Sequence, residues 1–185
     1  MKKQIRSARI VIILALATVI LGLRPALAAG DNAIDRDVQA ALSSLYATTP
    51  AAKVLGEKAK AILVFPSIVK AGFIVGAQTG DGALLQGGKS VGYYNISAVS
   101  YGLQAGVQSF GYAMFLMTDA ALAQVTKGGG FEVGVGPSIV VVDEGMAKSI
   151  TTATIQDDIY AFIFGQQGLM AGVGLEGSKI TRLNR

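Results

Sequence analysis

No cysteine, no histidine and no tryptophan occur in this chain of 185 residues, and proline occurs only four times. Without Cys or His there is no zinc finger, no thiol nucleophile, no disulfide framework and no His-based catalytic triad. A lipid anchor on an N-terminal Cys is excluded for the same reason. Charged side chains make up 15% of the chain, whereas apolar residues make up 51% and glycine occurs 24 times. The formal net charge is +4. A basic excess of this kind points to nucleic acid or a membrane surface only if the charges lie on the functional part of the chain.

They do not. Lys2, Lys3, Arg6 and Arg9 form a basic N-terminal region, and Ile10 to Leu23 is an apolar run of 14 residues. Pro25 and Ala26-Leu27-Ala28 follow, in the pattern of small residues at a signal-peptidase site. A membrane span needs about 20 apolar residues, so the layout reads as a cleaved secretory signal over 1–28 rather than an anchor. Of the 16 basic residues, five precede the cleavage point, and all 12 acids follow it. The expected mature chain, 29–185, therefore carries 11 basic and 12 acidic residues, a net charge of −1. Non-specific attraction to a phosphate backbone loses its source, and no nucleic-acid partner is expected. The expected location is outside the cytoplasm: periplasmic, envelope-associated or secreted.

The mature chain reads as one domain, large enough to bury a core without covalent staples. Ile34, Val38, Ala41, Leu42 and Leu45 recur at helical spacing, which predicts a helix over about 33–47. Thr49-Pro50 predicts the start of a second helix over about 50–60, and Pro66 stops or redirects the apolar run 61–65. From Lys70 the texture changes to strands and glycine. Thr79-Gly80-Asp81-Gly82 has turn chemistry, and Gly87-Gly88 breaks the chain again. Ser90 to Thr118 contains no charged residue over 29 positions. Val99, Tyr101, Leu103, Ala105 and Val107 alternate there with small or polar residues, a strand pattern rather than a membrane helix. A helix over 119–127, capped by Asp119, interrupts the strands. Residues 143–156 read as a polar loop or edge element, and 159–164 and 169–175 as two strands joined by a turn at 165–168.

The expected fold class is α+β: N-terminal helices followed by a strongly curled antiparallel β-sheet or barrel with one inserted helix. The curl is inferred from glycines two or four apart, on one face of predicted strands (Gly102, Gly106, Gly134, Gly136, Gly172, Gly174). A face without side chains permits strong coiling or the close approach of another backbone.

Candidate chemistry is sparse. Gly172-Val173-Gly174-Leu175-Glu176-Gly177 matches G-x-G-x-x-G, but eight residues remain after it, too few for the helix and strand a nucleotide site requires. Asp143-Glu144 and Asp157-Asp158 are adjacent acids, which point apart on a strand and make poor acid–base pairs. Lys148-Ser149 lacks the spacing of Ser/Lys catalysis. No nucleophile has an evident base, so no enzymatic activity, metal or cofactor is expected. Lys53, Glu57 and Lys60 share one helical face, with Lys58 nearer the apolar side, an arrangement open to snorkelling at a membrane as well as to an ordinary solvated face. The tyrosines 93, 94, 101 and 112 read as core, and Asn95-Ile96-Ser97 as an incidental glycosylation sequon.

The stretch Lys58–Gly76 (KAKAILVFPSIVKAGFIVG), followed by Gly80-Asp81-Gly82-Ala83-Leu84-Leu85, resembles the opening of the SYLF lipid-binding domain family. Tyr101–Gln108 is similar to that family's G-x-Q-x-G-x-Q segment, Gly134–Pro137 to its late Gly-Pro element, and Asp158–Ala161 with Gly168–Val173 to its closing strands. The resemblance runs over roughly 50–181. It implies a non-enzymatic, exported lipid-binding module acting at a bacterial envelope. Eukaryotic relatives bind phosphoinositides through a basic amphipathic N-terminal segment. Carried onto this chain, anionic head groups would meet Lys53, Lys58, Lys60 and Lys70. The alternative is a structural or interaction protein that recruits an envelope protein partner through an exposed edge or apolar patch.

Overall fold

A computed structural model describes residues 27–127, 130–133, 138–151, 154–168 and 177–184. The chain divides into two compact units, Met1–Ala33 and Ile34–Arg185. Helix α1 runs over Leu27–Thr48 and α2 over Pro50–Lys58. Thr49 between them is extended, and Pro50 takes the first helical position, where its missing N–H costs no hydrogen bond. Val38, Leu42 and Leu45 of α1 and Ala51, Ala52 and Leu55 of α2 are buried, as the helical spacing predicts. α1 extends further toward the N-terminus than its apolar periodicity indicates.

Two long strands come next and dominate the sheet. β1 (Ala61–Gln86) and β2 (Lys89–Leu116) pair antiparallel from Gln86↔Lys89 to Ala61↔Leu116. The turn between them is Gly87-Gly88, with φ of 56° and 79°, as a two-residue hairpin turn with both centres left-handed requires. The turn predicted at 79–82 is absent. Those residues pair in register with 94–97. Pro66 stays inside the strand, at a register shift between Phe65 and Ile68, where the missing donor does least harm.

Extended, β1 would span about 85 Å at the usual rise per residue. Instead it doubles back on itself. A Cβ placed on Gly72 would lie 2.5 Å from the Cα of Gly76, and one on Gly80 would lie 2.5 Å from the carbonyl oxygen of Ser67. One on Gly82 would collide with the carbonyl oxygen of Val64. The strand therefore bends at 72–76, opposite Gly106 of β2, and its second half lies face to face on its first. Leu84, Tyr94 and Ile96 from beyond the bend share a core cluster with Leu63, Phe65, Phe110 and Tyr112 from before it. The sheet is strongly curled as expected, but glycines of β1 other than those named from the sequence carry the bend, with Gly106 of the expected set lying opposite it. The described glycines that carry it are Gly72, Gly76, Gly80 and Gly82; Gly134, Gly136, Gly172 and Gly174 lie outside the described residues.

After β2 come helix α3 (Asp119–Thr126), β3 (Phe131–Glu132), β4 (Ile139–Val141), the single-turn helix α4 (Glu144–Ala147), β5 (Ile159–Gly168) and β6 (Lys179–Arg182). The cap of α3 is Thr118, whose hydroxyl accepts from Ala121 N at 3.2 Å, rather than Asp119, which sits in the first turn. The sheet order is β3-β6-β2-β5-β4, with β1 also paired to β2. It is a strongly curled sheet, but mixed rather than purely antiparallel, because β4 runs parallel to β5. A parallel pair needs a crossover, and residues 142–158 with α4 supply it. β5 continues through the turn predicted at 165–168.

α1 and α2 cover one face of the sheet and α3 packs on the other. Strand segments such as 61–65 and 113–116 are buried on both faces, which accounts for their unbroken apolar sequence. Four polar side chains are also buried among the described residues: Lys70, Gln78, Gln108 and Ser178. They cluster at the fold-back. Lys70 pairs across the ladder with Gln108, and the contacts at 72/76 and 68/80 set position 70 opposite 78. Gln78 Nε2 donates to Ser178 Oγ at 2.8 Å. Gln78 Oε1, Gln108 Oε1 and the Tyr112 hydroxyl are buried without a hydrogen-bond partner.

Candidate functional site

Where α1 passes into α2, the chain faces the crossover between β4 and β5, and a groove of about 850 Å³ opens between them. Leu45, Ala51 and Val54 line the helical side; Val142, Ala147 and Ile150 line the crossover; Phe162 and Ile163 of β5 form the remaining wall. The volume falls in the range of small-molecule sites, and the lining is mostly aliphatic. Its polar groups are few: Thr48, Thr49, Asp143 and Lys148. Asp143 is engaged as the cap of α4, its Oδ1 accepting from Met146 N at 2.8 Å. Lys148 is exposed and forms no ion pair among the described residues. The groove thus offers an apolar wall with one cation, Lys148, and one carboxylate, Asp143, that is engaged as a helix cap.

Local sequence sets this geometry. Thr49-Pro50 breaks the helix so that α1 and α2 meet at the groove's edge, with Thr48 Oγ1 donating back to Ser44 O at 3.0 Å. Phe162 stacks edge-on against Phe115 with ring centroids 5.4 Å apart, fixing the wall below. Tyr46 also packs on Phe115, its ring tilted and the centroids 6.4 Å apart. Burial, aided by the charge of Glu57, pushes the Tyr46 hydroxyl above the ordinary tyrosine range.

Three of the four lysines singled out in the sequence lie near α2. Lys53 is exposed on α2, Lys58 is its last residue, and Lys60 follows it. Lys60 Nζ lies 3.5 Å from Asp119 Oδ1. Lys70 is apart from them, 8% exposed in the fold-back of β1. None of the four lines the groove. In the sequence, Lys148 stands out only as a neighbour of Ser149. Ser149 Oγ instead donates to Met146 O at 2.8 Å. Nothing local marks Lys148 as a groove residue, because its place depends on the parallel crossover.

The acid pairs have structural duties. Asp143 caps α4, Asp158 Oδ1 accepts from Thr118 Oγ1 at 2.8 Å, and Tyr160 donates to Asp157 Oδ2 at 3.3 Å. Among the described residues, no three Asp or Glu side chains come together as a metal site would require. Tyr94 and Tyr112 are core, while Tyr93 donates its hydroxyl to Asp35 at 3.1 Å. Gly172 to Glu176, most of the G-x-G-x-x-G match, lie outside the described residues. Asn95 is half-buried and donates to Asp81 Oδ1 at 2.8 Å, which occupies the sequon in the ladder.

By sequence comparison no curated protein matches the chain. A family model does: Ysc84, described as Las17-binding protein actin regulator, matches residues 97–185. The segment takes in the second half of β2 and every later element, including the crossover and β5 walls of the groove. The helices α1 and α2 and the resemblance at Lys58–Leu85 lie N-terminal to it. Over residues 97–185 the chain is thus similar to the Ysc84 (SYLF) family, in line with the resemblance its sequence carries.

Proposed function

We propose that the protein is an exported, non-catalytic lipid-binding module that works at a bacterial cell envelope. The groove between the α1–α2 junction and the β4–β5 crossover takes the apolar part of an anionic or amphiphilic lipid. Lys148 at its rim meets the head group. Lys53, Lys58 and Lys60 on and after α2 add a basic margin toward the same membrane. Lys70 is left out of this margin because it is buried. The observation that carries the reading is the groove itself: about 850 Å³, aliphatic-walled, with an exposed lysine that forms no ion pair among the described residues.

The test is co-sedimentation of the mature chain with phosphatidylglycerol-containing vesicles and with phosphatidylcholine vesicles. Binding should favour the anionic vesicles and weaken with salt. It should fall further in Lys148→Glu and in the pair Lys53→Glu with Lys58→Glu. Equal, negligible binding to both vesicle types removes the electrostatic reading.

One observation favours a second reading, recruitment of an envelope protein. Val69, Val75, Val99 and Val107, all near the bend of the β1–β2 hairpin, are each at least 45% exposed. The description of the matched family also names a protein partner. Unimpaired function of the lysine variants in cells would favour this reading over the lipid one.

A further inference from the structure

A second cleft, separate from the groove, opens at the far end of the hairpin. It encloses about 430 Å³ between Ser90, Gly92 and Tyr93 at the start of β2 and Arg182, Leu183 and Asn184 at the end of β6. Its frame is fixed by backbone: Tyr94 pairs with Arg182 across the ladder, and Leu183 N donates to Tyr93 O at 2.8 Å. The guanidinium of Arg182 lies over Gly92. A Cβ at that position would stand 3.5 Å from Arg182 Nη2 and 3.2 Å from the Tyr94 ring. The absence of a side chain at 92 keeps the cleft open beneath the guanidinium.

Arg182 is exposed and forms no ion pair among the described residues. The hydroxyls of the cleft are spoken for. Ser90 Oγ donates to Asp35 Oδ1 at 2.6 Å, and Tyr93 donates to both oxygens of the same carboxylate at 3.1 and 3.2 Å. Asp35 is not part of the cleft wall. What the cleft presents to a ligand is therefore the planar donor fork of Arg182 together with the amide of Asn184. A guanidinium has five N–H donors and no acceptor, in a geometry that matches two oxygens of one oxyanion.

We propose that this cleft binds a phosphate group, with Arg182 as the bidentate donor and Gly92 as the residue that leaves it room. The phosphate is either a free ion or the head group of a lipid. The site is independent of the groove and shares no residue with it.

The test follows the Arg182 Nε–H resonance of the intact mature protein during titration with inorganic phosphate. Vesicles of phosphatidic acid in phosphatidylcholine, against phosphatidylcholine alone, form the second arm. A saturable shift with phosphate at Arg182 Nε and at the Gly92 backbone amide is expected, and the binding read at Gly92 should weaken about tenfold or more in Arg182→Gln, as for a charge-assisted pair. Gly92→Val, which keeps the charge and fills the space, should lose the same binding. Saturation by inorganic phosphate with unchanged vesicle binding identifies a free-phosphate site. Loss of phosphatidic-acid binding in Arg182→Gln, without saturation by the free ion, identifies a head-group site. No saturable shift in the wild type, with vesicle binding equal in wild type and Arg182→Gln, overturns the proposal. The wild-type resonance gives this answer even if a variant fails to fold.

Discussion

Gly82→Ala tests the fold-back of β1 most sharply. Position 82 sits in regular strand, paired to Tyr94, with no positive φ to explain a glycine. An added methyl group would run into the Val64 carbonyl oxygen and would lie 2.7 Å from the Phe65 ring. Backbone on the receiving side cannot swing away as a flexible side chain can. Overpacking of this kind costs about 1–3 kcal/mol, and rigid neighbours put this site near the top of that range, about 3 kcal/mol. For a domain of this size that lowers the melting temperature by roughly 6–12 °C. The control is Gly87→Asn in the hairpin turn, where φ is 56° and nothing lies within 4 Å of the added Cβ. Asn accepts this turn conformation, so the change should stay within about 0.5 kcal/mol. Thermal and urea unfolding followed by circular dichroism would compare the two. A Gly82→Ala variant as stable as Gly87→Asn would mean that the halves of β1 are not in backbone contact, and the folded hairpin would be refuted.

Three further outcomes rest on the buried polar groups and the surface charges. Burial holds the Tyr112 hydroxyl neutral far above its ordinary pKa of 10.0, so the unfolded chain gives up that proton first. Stability is then complete below about pH 10 and falls above it by about 1.4 kcal/mol per pH unit for this group. Tyr112→Phe should flatten that fall in urea midpoints measured from pH 8 to 11, and an unchanged slope would contradict the assignment. Gln108→Leu removes a buried carbonyl oxygen that has no partner, so it should leave the protein at least as stable as wild type, by up to about 1 kcal/mol. A loss of stability in urea unfolding would mean that the amide is satisfied in solution. Lys60→Ala breaks a pair whose partners are 50% and 81% exposed, and the unfolding midpoint should shift by less than about 1 kcal/mol, screened further by salt.

The parts of the fold that depend on local periodicity are legible in the sequence. The Val38, Leu42 and Leu45 spacing locates the buried face of α1, Thr49-Pro50 marks the start of α2, and the alternation at 99–107 identifies strand in a long uncharged segment. Expectation and structure part where one residue type serves two purposes. Gly80 and Gly82 flank Asp81 as a turn would, yet they are glycines because another part of the backbone lies against them. Gly165 takes φ of 60° without ending β5. Thr118 and Asp119 are both good caps, and only the hydrogen bond to Ala121 distinguishes them. Parallel pairing of β4 with β5 has no local signature, and without it neither the groove nor the role of Lys148 can be read. Arg182 is hidden for a related reason. Its cleft depends on the meeting of residues 90–94 with 182–184 across the ladder, a contact that no spacing along the chain announces.

A lipid held in the groove beside α2 is what the proposed function stands on. Native mass spectrometry of the protein purified from the cells that make it detects such a lipid, with Val54→Asp as the comparison. Val54 is half-buried on the groove wall, so a carboxylate there opposes an apolar ligand without entering the core. An occupied groove predicts a wild-type protein carrying co-purified lipid of defined mass and a variant, equally folded, that carries little or none. Lipid-free wild-type protein, or the same lipid retained in Val54→Asp, would contradict it.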